Sequence, residues 1–492
     1  MTSMRVLLTL TIALTISSAA QAVPLPTGSR WFFYAPRADQ FAREAETLLT
    51  STSQLAATLS PRRMNSDLTR SLGLGLVQTE TVNASGIDVS KPWMLFERNG
   101  ISYLAVSVKS RETLTATLEA WAEARLLKAR DEKPFGKAKG VMVTFARAAG
   151  SKPAGGYIIA GDRAVILAQK IDRAAELQAA YEAIDSAPSV QPGVEGTLLV
   201  WLGRESAIRD GWLGIKALED GVDVTGAANK IDAGFVSADT PRAEWIRALT
   251  AAPAGGGGEI PAWARVIAGP KSAAQLVTAL GPVLSSYLSE AAGKAWLENL
   301  RTLATGPVEM LATDVDVRAV ESAEGGGTRQ DLLRLLKPTI VFPNASDAAV
   351  SSTLKQSSAA LCQAKTIGEE AVRAMCVEPS LTVGRQGKSL FVGWTGALTK
   401  PAPPPALAGA PIFNCAKGVP IAAVRLSPST VANALKDVGI LSAMSSQSLA
   451  GLLAVGSEYG RLLKASQPAI GLACQEPSGR VTLQGRWRFV RK

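Results

Sequence analysis

The chain has 492 residues, 47% hydrophobic and 19% charged, with 52 Lys and Arg against 42 Asp and Glu and no histidine. This composition can bury substantial cores and is not that of a disordered chain. The missing histidine excludes Ser-His-Asp and Cys-His catalysis, histidine-liganded zinc sites and histidine proton shuttles.

The opening "MTSMRVLLTLTIALTISSAAQA" reads as an export signal over residues 1–22. Arg5 supplies the positive start, Val6 to Ile16 the apolar stretch, and Ala20-Gln21-Ala22 a small-x-small cleavage site after Ala22. The apolar run is short for a bilayer span, and no cysteine follows it to take a lipid. No later segment has the uninterrupted apolar length of a spanning helix. The mature chain is therefore expected outside the cytoplasm, periplasmic or extracellular, with no transmembrane helix.

From Trp31 a phrase recurs: a β-prone apolar run, a turn, then an amphipathic helix. Its copies begin at Trp31, Tyr103, Leu198, Ala264, Thr339 and Ala422. Pro36, Pro270, Pro343 and Pro428 mark four of the turns, where proline costs no helical hydrogen bond. Ser110 and Ser427 are expected N-caps. Single apolar stripes follow: Phe41, Ala45 and Leu48; Leu114, Leu118 and Trp121; Leu276, Leu280 and Leu284; Val431, Leu435 and Val438. Between the helices lie hairpin patterns, the clearest being "GGYIIAGDRAVILAQK" with a Gly161-Asp162 turn. Hairpins make neighbouring strands antiparallel. The expected fold is therefore α+β: tandem strand–helix–hairpin units forming largely antiparallel sheets, each covered on one face by helices.

Loose stretches suggest the divisions. "DSAPSVQPGVEG" and "SAEGGGTRQ" separate three expected domains of two units each, at 23–190, 191–330 and 331–492. All four cysteines, Cys362, Cys376, Cys415 and Cys474, fall in the third. An even count in an exported chain points to disulfides, and three connectivities are open. The expected pairs are Cys362–Cys376, tying a helix end to the next strand, and Cys415–Cys474, joining the entry of the last unit to its closing strand. No CxxC is present to suggest a metal instead. No metal or cofactor is expected.

Candidates for chemistry are few. Asp314 and Asp316 in "ATDVDVRAV" alternate along an expected strand and share a face. Such a pair could serve acid/base hydrolysis of a polysaccharide or hold Ca²⁺, but no third ligand stands nearby and a solvated face is the simpler reading. Ser352-Thr353-Leu354-Lys355 matches Ser-x-x-Lys, yet it sits inside a helix and lacks the accompanying motifs. Asn83-Ala84-Ser85 matches a glycosylation sequon. The basic excess is scattered, densest in "GKAKG" and "GRWRFVRK". It suits a solvated surface and permits peripheral contact with anionic lipid. No nucleic-acid-binding motif is present, and no such partner is expected.

"SGIDVSKPWMLFERNGISYLAVSVKSRETL" and "GYIIAGDRAVILAQKIDRAAEL" resemble exported α+β repeat proteins of delta-proteobacterial, especially myxobacterial, type. Gly86-Ile87-Asp88 and Gly161-Asp162 carry the resemblance, Gly221-Val222-Asp223 echoes it, and it covers Trp31 to Asp185. That group has no assigned activity, so the resemblance implies address and fold only. The expected function is a non-catalytic envelope protein: a binding, scaffold or assembly module, with an envelope protein or lipid as partner. The alternatives are a periplasmic carrier of a lipid or other apolar ligand and, after it, the carboxylate-dependent hydrolase.

Overall fold

The computed structural model describes residues 22–136, 140–169, 174–203, 211–228, 240–251, 263–312, 338–343, 345–368, 370–377, 380–394, 411–427 and 461–489. These residues form an α+β structure with antiparallel sheets. They fall into two compact units, one built chiefly from residues up to Ala227 and the other chiefly from Ala228 onward, with 51–58 and 220–223 belonging to the second. Asp314, Asp316, residues 1–21 and the stripe Val431, Leu435 and Val438 lie outside the described residues.

The first unit opens with β1 (Val23–Pro24), β2 (Ser29–Ala35) and α1 (Ala38–Ser53). Two further helices follow, α2 (Pro61–Leu72) and α3 (Thr79–Ala84), then the hairpin β3 (Trp93–Arg98) and β4 (Ile101–Ser107). Asn99 and Gly100, at φ +54° and +77°, make its two-residue turn; positive φ at both positions matches the twist of the flanking strands. Helix α4 (Arg111–Ala124) starts at Ser110, whose hydroxyl accepts from the Thr113 N–H at 3.2 Å. It buries Leu114, Leu118 and Trp121, the stripe read from the sequence.

A meander of β5 (Ala129–Phe135), β6 (Gly140–Ala146), β7 (Gly155–Ala160) and β8 (Arg163–Leu167) comes next, followed by α5 (Ala175–Asp185) and β9 (Ser189–Val190). The series ends with β10 (Leu198–Leu202), β11 (Gly211–Leu218) and β12 (Gly221–Ala228). The pairings give the order β11–β10–β2–β3–β4–β8–β7–β6–β5, antiparallel throughout, with β1 and β9 as a separate ribbon.

One expectation fails here. The copy at Leu198 was expected to turn into a helix, but residues 211–218 are a strand, with Leu198 opposite Ile215 and Trp201 opposite Trp212. The reason lies at Gly214, where a Cβ would sit 2.1 Å from the Glu195 carbonyl oxygen. Glycine is a poor helix residue, and here it admits a neighbouring backbone.

Both faces of this sheet are buried. Leu104, Val106, Ala164, Ile166, Tyr157 and Ile159 face a core shared with residues of α1, α3 and α4. Their alternates Tyr103, Ala105, Val165, Leu167, Ile158 and Ala160 face a second core with Leu177, Ala180 and Ile184 of α5. Helical cover on one face is thus supplemented by one helix on the other. This explains why "YIIA" and "AVIL" read as unbroken apolar runs rather than alternating ones.

The second unit contains α6 (Thr240–Ala248), β13 (Trp263–Ala268), α7 (Pro270–Leu284), α8 (Glu290–Leu303), β14 (Val308–Ala312), β15 (Thr339–Phe342) and α9 (Asp347–Ala360). The meander β16 (Ala364–Ile367), β17 (Ala371–Ala374), β18 (Leu381–Gln386) and β19 (Ser389–Gly393) follows, then β20 (Val419–Leu426), β21 (Ala469–Gln475) and β22 (Val481–Arg488). The order is β22–β21–β20–β13–β14–β15–β19–β18–β17–β16, again antiparallel. From β21 to β16 this is, strand for strand, the order of the first unit. In both units helices follow the central strand, a single helix follows the second strand of the next pair, and a four-strand meander returns to that strand. The repeated phrase is therefore nested inside a larger duplication. Both expected cysteine pairs stand at disulfide distance, with Cα–Cα separations of 5.8 Å for Cys362–Cys376 and 5.6 Å for Cys415–Cys474.

Candidate functional site

The period of two along β3 and β4 builds the site. Phe96 lies opposite Tyr103 and Arg98 opposite Ile101, so these four side chains share a face. It is the face on which α5 packs. At the hairpin tip a surface cavity of about 720 Å³ opens between the sheet and the start of α5, lined by Arg98, Asn99, Ile101, Tyr103, Lys152, Ala175, Glu176 and Ala179. Ala175 and Ala179 leave room because each carries only a methyl group. No side chain caps the helix at Ala174.

Three polar groups in this cavity lack protein partners among the described residues. Tyr103 is 2% exposed and stacks on Phe96 with ring centroids 5.4 Å apart, yet its hydroxyl makes no hydrogen bond. Glu176 has a buried Oε2 with no donor. The Arg98 guanidinium makes neither an ion pair nor a side-chain hydrogen bond. Burial pushes the Tyr103 phenol up to about 12; the Glu176 charge adds to the rise and Arg98 opposes it. The phenol is thus a neutral hydrogen-bond donor at physiological pH. Buried polar atoms are normally paired, so the Glu176 Oε2 needs an explanation; Arg98 beside it is only half-buried.

Buried polar atoms without a hydrogen bond also occur elsewhere, at Trp93 Nε1, Trp121 Nε1 and Gln169 Nε2, whereas the charged groups that follow are engaged within the fold. A second surface cavity of about 620 Å³ is lined by Ser66, Thr69, Arg70, Trp121, Ala124 and Arg125. There Arg125 lies over the Trp121 ring at 5.3 Å and donates to the Ala168 carbonyl at 2.6 Å, so its charge is already engaged. In the second unit Glu309, 5% exposed, accepts from Arg265 at 2.5 Å and pairs with Arg242. Arg425, 1% exposed, donates to the Ala251 carbonyl at 2.7 Å, and burial lowers its pKa. These charges are consumed within the fold. Among the described residues no three His, Cys, Asp or Glu side chains cluster as a metal site would require. No helix of these residues is long and apolar enough to cross a membrane.

Ser352 and Lys355 lie within α9, and Asn83 within α3. Neither position lines either cavity. The cavity residues Arg98, Tyr103 and Glu176 carry no motif. A sequence signal that could have pointed to their location, and was not used, is Asn99-Gly100, a turn dipeptide between two apolar runs. Compared with known proteins, this chain matches no family model, no curated protein and no solved structure.

Proposed function

We propose that the protein is a non-catalytic, exported envelope protein that binds a ligand or partner through the first unit. The observation that carries this reading is the cavity whose Arg98, Tyr103 and Glu176 groups stand without partners among the described residues. A binding site presents such groups to its ligand, which then satisfies them. Among the described residues Glu176 is the only carboxylate in the lining, whereas glycoside hydrolysis by paired carboxyl groups needs two. The chain offers no histidine to replace the second. The lining is also polar, with Arg98, Asn99, Lys152 and Glu176 among its residues, which suits an acyl chain poorly. This favours a polar ligand over an apolar cargo.

Native mass spectrometry of the full chain isolated from its envelope tests this reading. The expected result is a mass above that of a processed chain beginning at Val23, returning to the bare mass in Arg98→Ala. A bare mass for the unaltered protein across repeated preparations would refute it.

A further inference from the structure

Helix α4 ends on a residue that its backbone does not favour. The Leu126 N–H donates to the Glu123 carbonyl at 2.9 Å and the Leu127 N–H to the Ala122 carbonyl at 3.0 Å. This closure holds Leu126 in the left-handed region, at φ +57°. Glycine is the usual residue there, because a Cβ strains that backbone. Leu126 is also 72% exposed, the most exposed large apolar side chain among the described residues. The buried apolar contact at this helix end is made by Leu127, which belongs to the core. The fold therefore makes no use of the Leu126 side chain, and a bulky residue both strained and exposed points to a use outside it. Ala124 and Arg125, which directly precede it, line the cavity of about 620 Å³ together with Ser66, Thr69 and Arg70 of α2. Arg125 is occupied by the Trp121 ring and the Ala168 carbonyl. Arg70 and Lys128 are exposed, and neither makes an ion pair or a hydrogen bond among the described residues. The acidic neighbours Asp67 and Glu123 are exposed too and are not among the described lining residues.

We propose that the C-terminal end of α4 docks on an anionic lipid surface. Leu126 enters the headgroup layer, and Arg70 and Lys128 meet the lipid phosphates. Insertion returns to the leucine the hydration cost of its exposure, and cations beside an apolar side chain are attracted to anionic headgroups. An acidic protein could pair the cations but would offer a single leucine no apolar layer to enter. This inference does not rest on the Tyr103 cavity. Trp121 belongs to the core on the α4 face of the sheet and Tyr103 to the core on the α5 face, so either site can fail without the other.

Flotation with vesicles tests it, using the processed chain beginning at Val23, because the apolar run Val6 to Ile16 would itself enter a bilayer. One set of vesicles is phosphatidylcholine alone and the other equal parts phosphatidylcholine and phosphatidylglycerol. The chain is expected to float with the second set and not with the first, and to be released by high salt. Leu126→Gly should weaken that binding about fivefold or more while raising the melting temperature, since glycine relieves the left-handed backbone. Arg70→Gln should weaken binding without a change in melting temperature. A lowered melting temperature in Leu126→Gly would show that the fold uses the leucine and would overturn the proposal. So would unchanged flotation of that variant, equal flotation with both sets, or flotation with neither. Release by millimolar inorganic phosphate at constant ionic strength would identify free phosphate as the ligand and overturn the lipid assignment.

Discussion

At Gly86 one missing carbon holds a helix in place. Its φ is +85°, and a Cβ there would lie 2.5 Å from the Leu114 nitrogen and 2.8 Å from the Ser110 carbonyl oxygen, both in the first turn of α4. Its own carbonyl accepts from the Lys109 and Ser110 N–H groups at 3.0 and 2.9 Å. Gly161 also has a positive φ, +62°, but a Cβ there would meet nothing within 4 Å. Gly161→Ala should therefore cost only the left-handed backbone penalty, about 1 kcal/mol. Gly86→Ala adds a clash with backbone and should cost about 2 kcal/mol or more. Urea denaturation of the two variants, compared at midpoint, checks the ordering.

Tyr103 gives a second test at this scale. Its pKa rises from 10.0 to about 12 on folding, so the folded state holds the phenolic proton more tightly than the unfolded chain does. The corresponding stability is complete below pH 10 and is lost as pH climbs through about 12. The difference between tyrosinate absorbance titrations of the wild type and Tyr103→Phe should show one group with a midpoint near 12. Both glycines were legible in the sequence as turn residues. The importance of Tyr103 was not, because a hydroxyl's lack of a partner depends on what α5 brings across from 73 residues later, at Glu176.

Among the elements, local chemistry predicted the helices best where a cap and a stripe coincided. Ser110, the expected cap, does cap α4; α9 is capped by Ser346, which accepts from the Ala349 N–H at 3.2 Å and was not among the expected caps. Ser110→Ala should cost about 1 kcal/mol, and Ser110→Asp should retain most of that stability. Thermal melts followed by far-ultraviolet circular dichroism would measure both. The two-residue turn at Gly161-Asp162 sets its hairpin as read, with Ala160 opposite Arg163; Gly387-Lys388 does the same with Gln386 opposite Ser389. The misreading came at Gly211–Leu218, where a strand-plus-helix template was carried over from better copies. Tertiary pairing with β10 outweighed the weak helical spacing, and Gly211 and Gly214 gave warning. The second covered face escaped notice for a related reason: unbroken apolar runs in β7 and β8 indicate burial on both sides.

For the whole molecule, the strand order shows what periodicity in the sequence did not. The sequence suggested short repeated phrases, whereas the structure repeats a sheet path of some two hundred residues. The copies differ in strand length (seven residues in β4, four in β15) and in loop content, which obscures the larger period at residue level. The cysteines differ too, since both bridges belong to the second unit. Closing 59 residues through Cys415–Cys474 stabilises by about 4 kcal/mol on the chain-entropy model, against about 3 for the 14-residue Cys362–Cys376 loop. Reduction with dithiothreitol should therefore lower a melting transition of the second unit. Cys415→Ser/Cys474→Ser should lower it further than Cys362→Ser/Cys376→Ser, as read by scanning calorimetry.

The shared path also bears on biosynthesis. A polypeptide that winds the same way twice gives every emerging edge two docking places, the correct one and its look-alike downstream. Cross-docking between look-alikes is a known hazard of tandem folds and becomes easier as the copies grow more alike. The mismatch between the seven residues of β4 and the four of β15 makes the wrong partner a poor fit. Divergence between the copies thus acts as a guard on nascent-chain assembly.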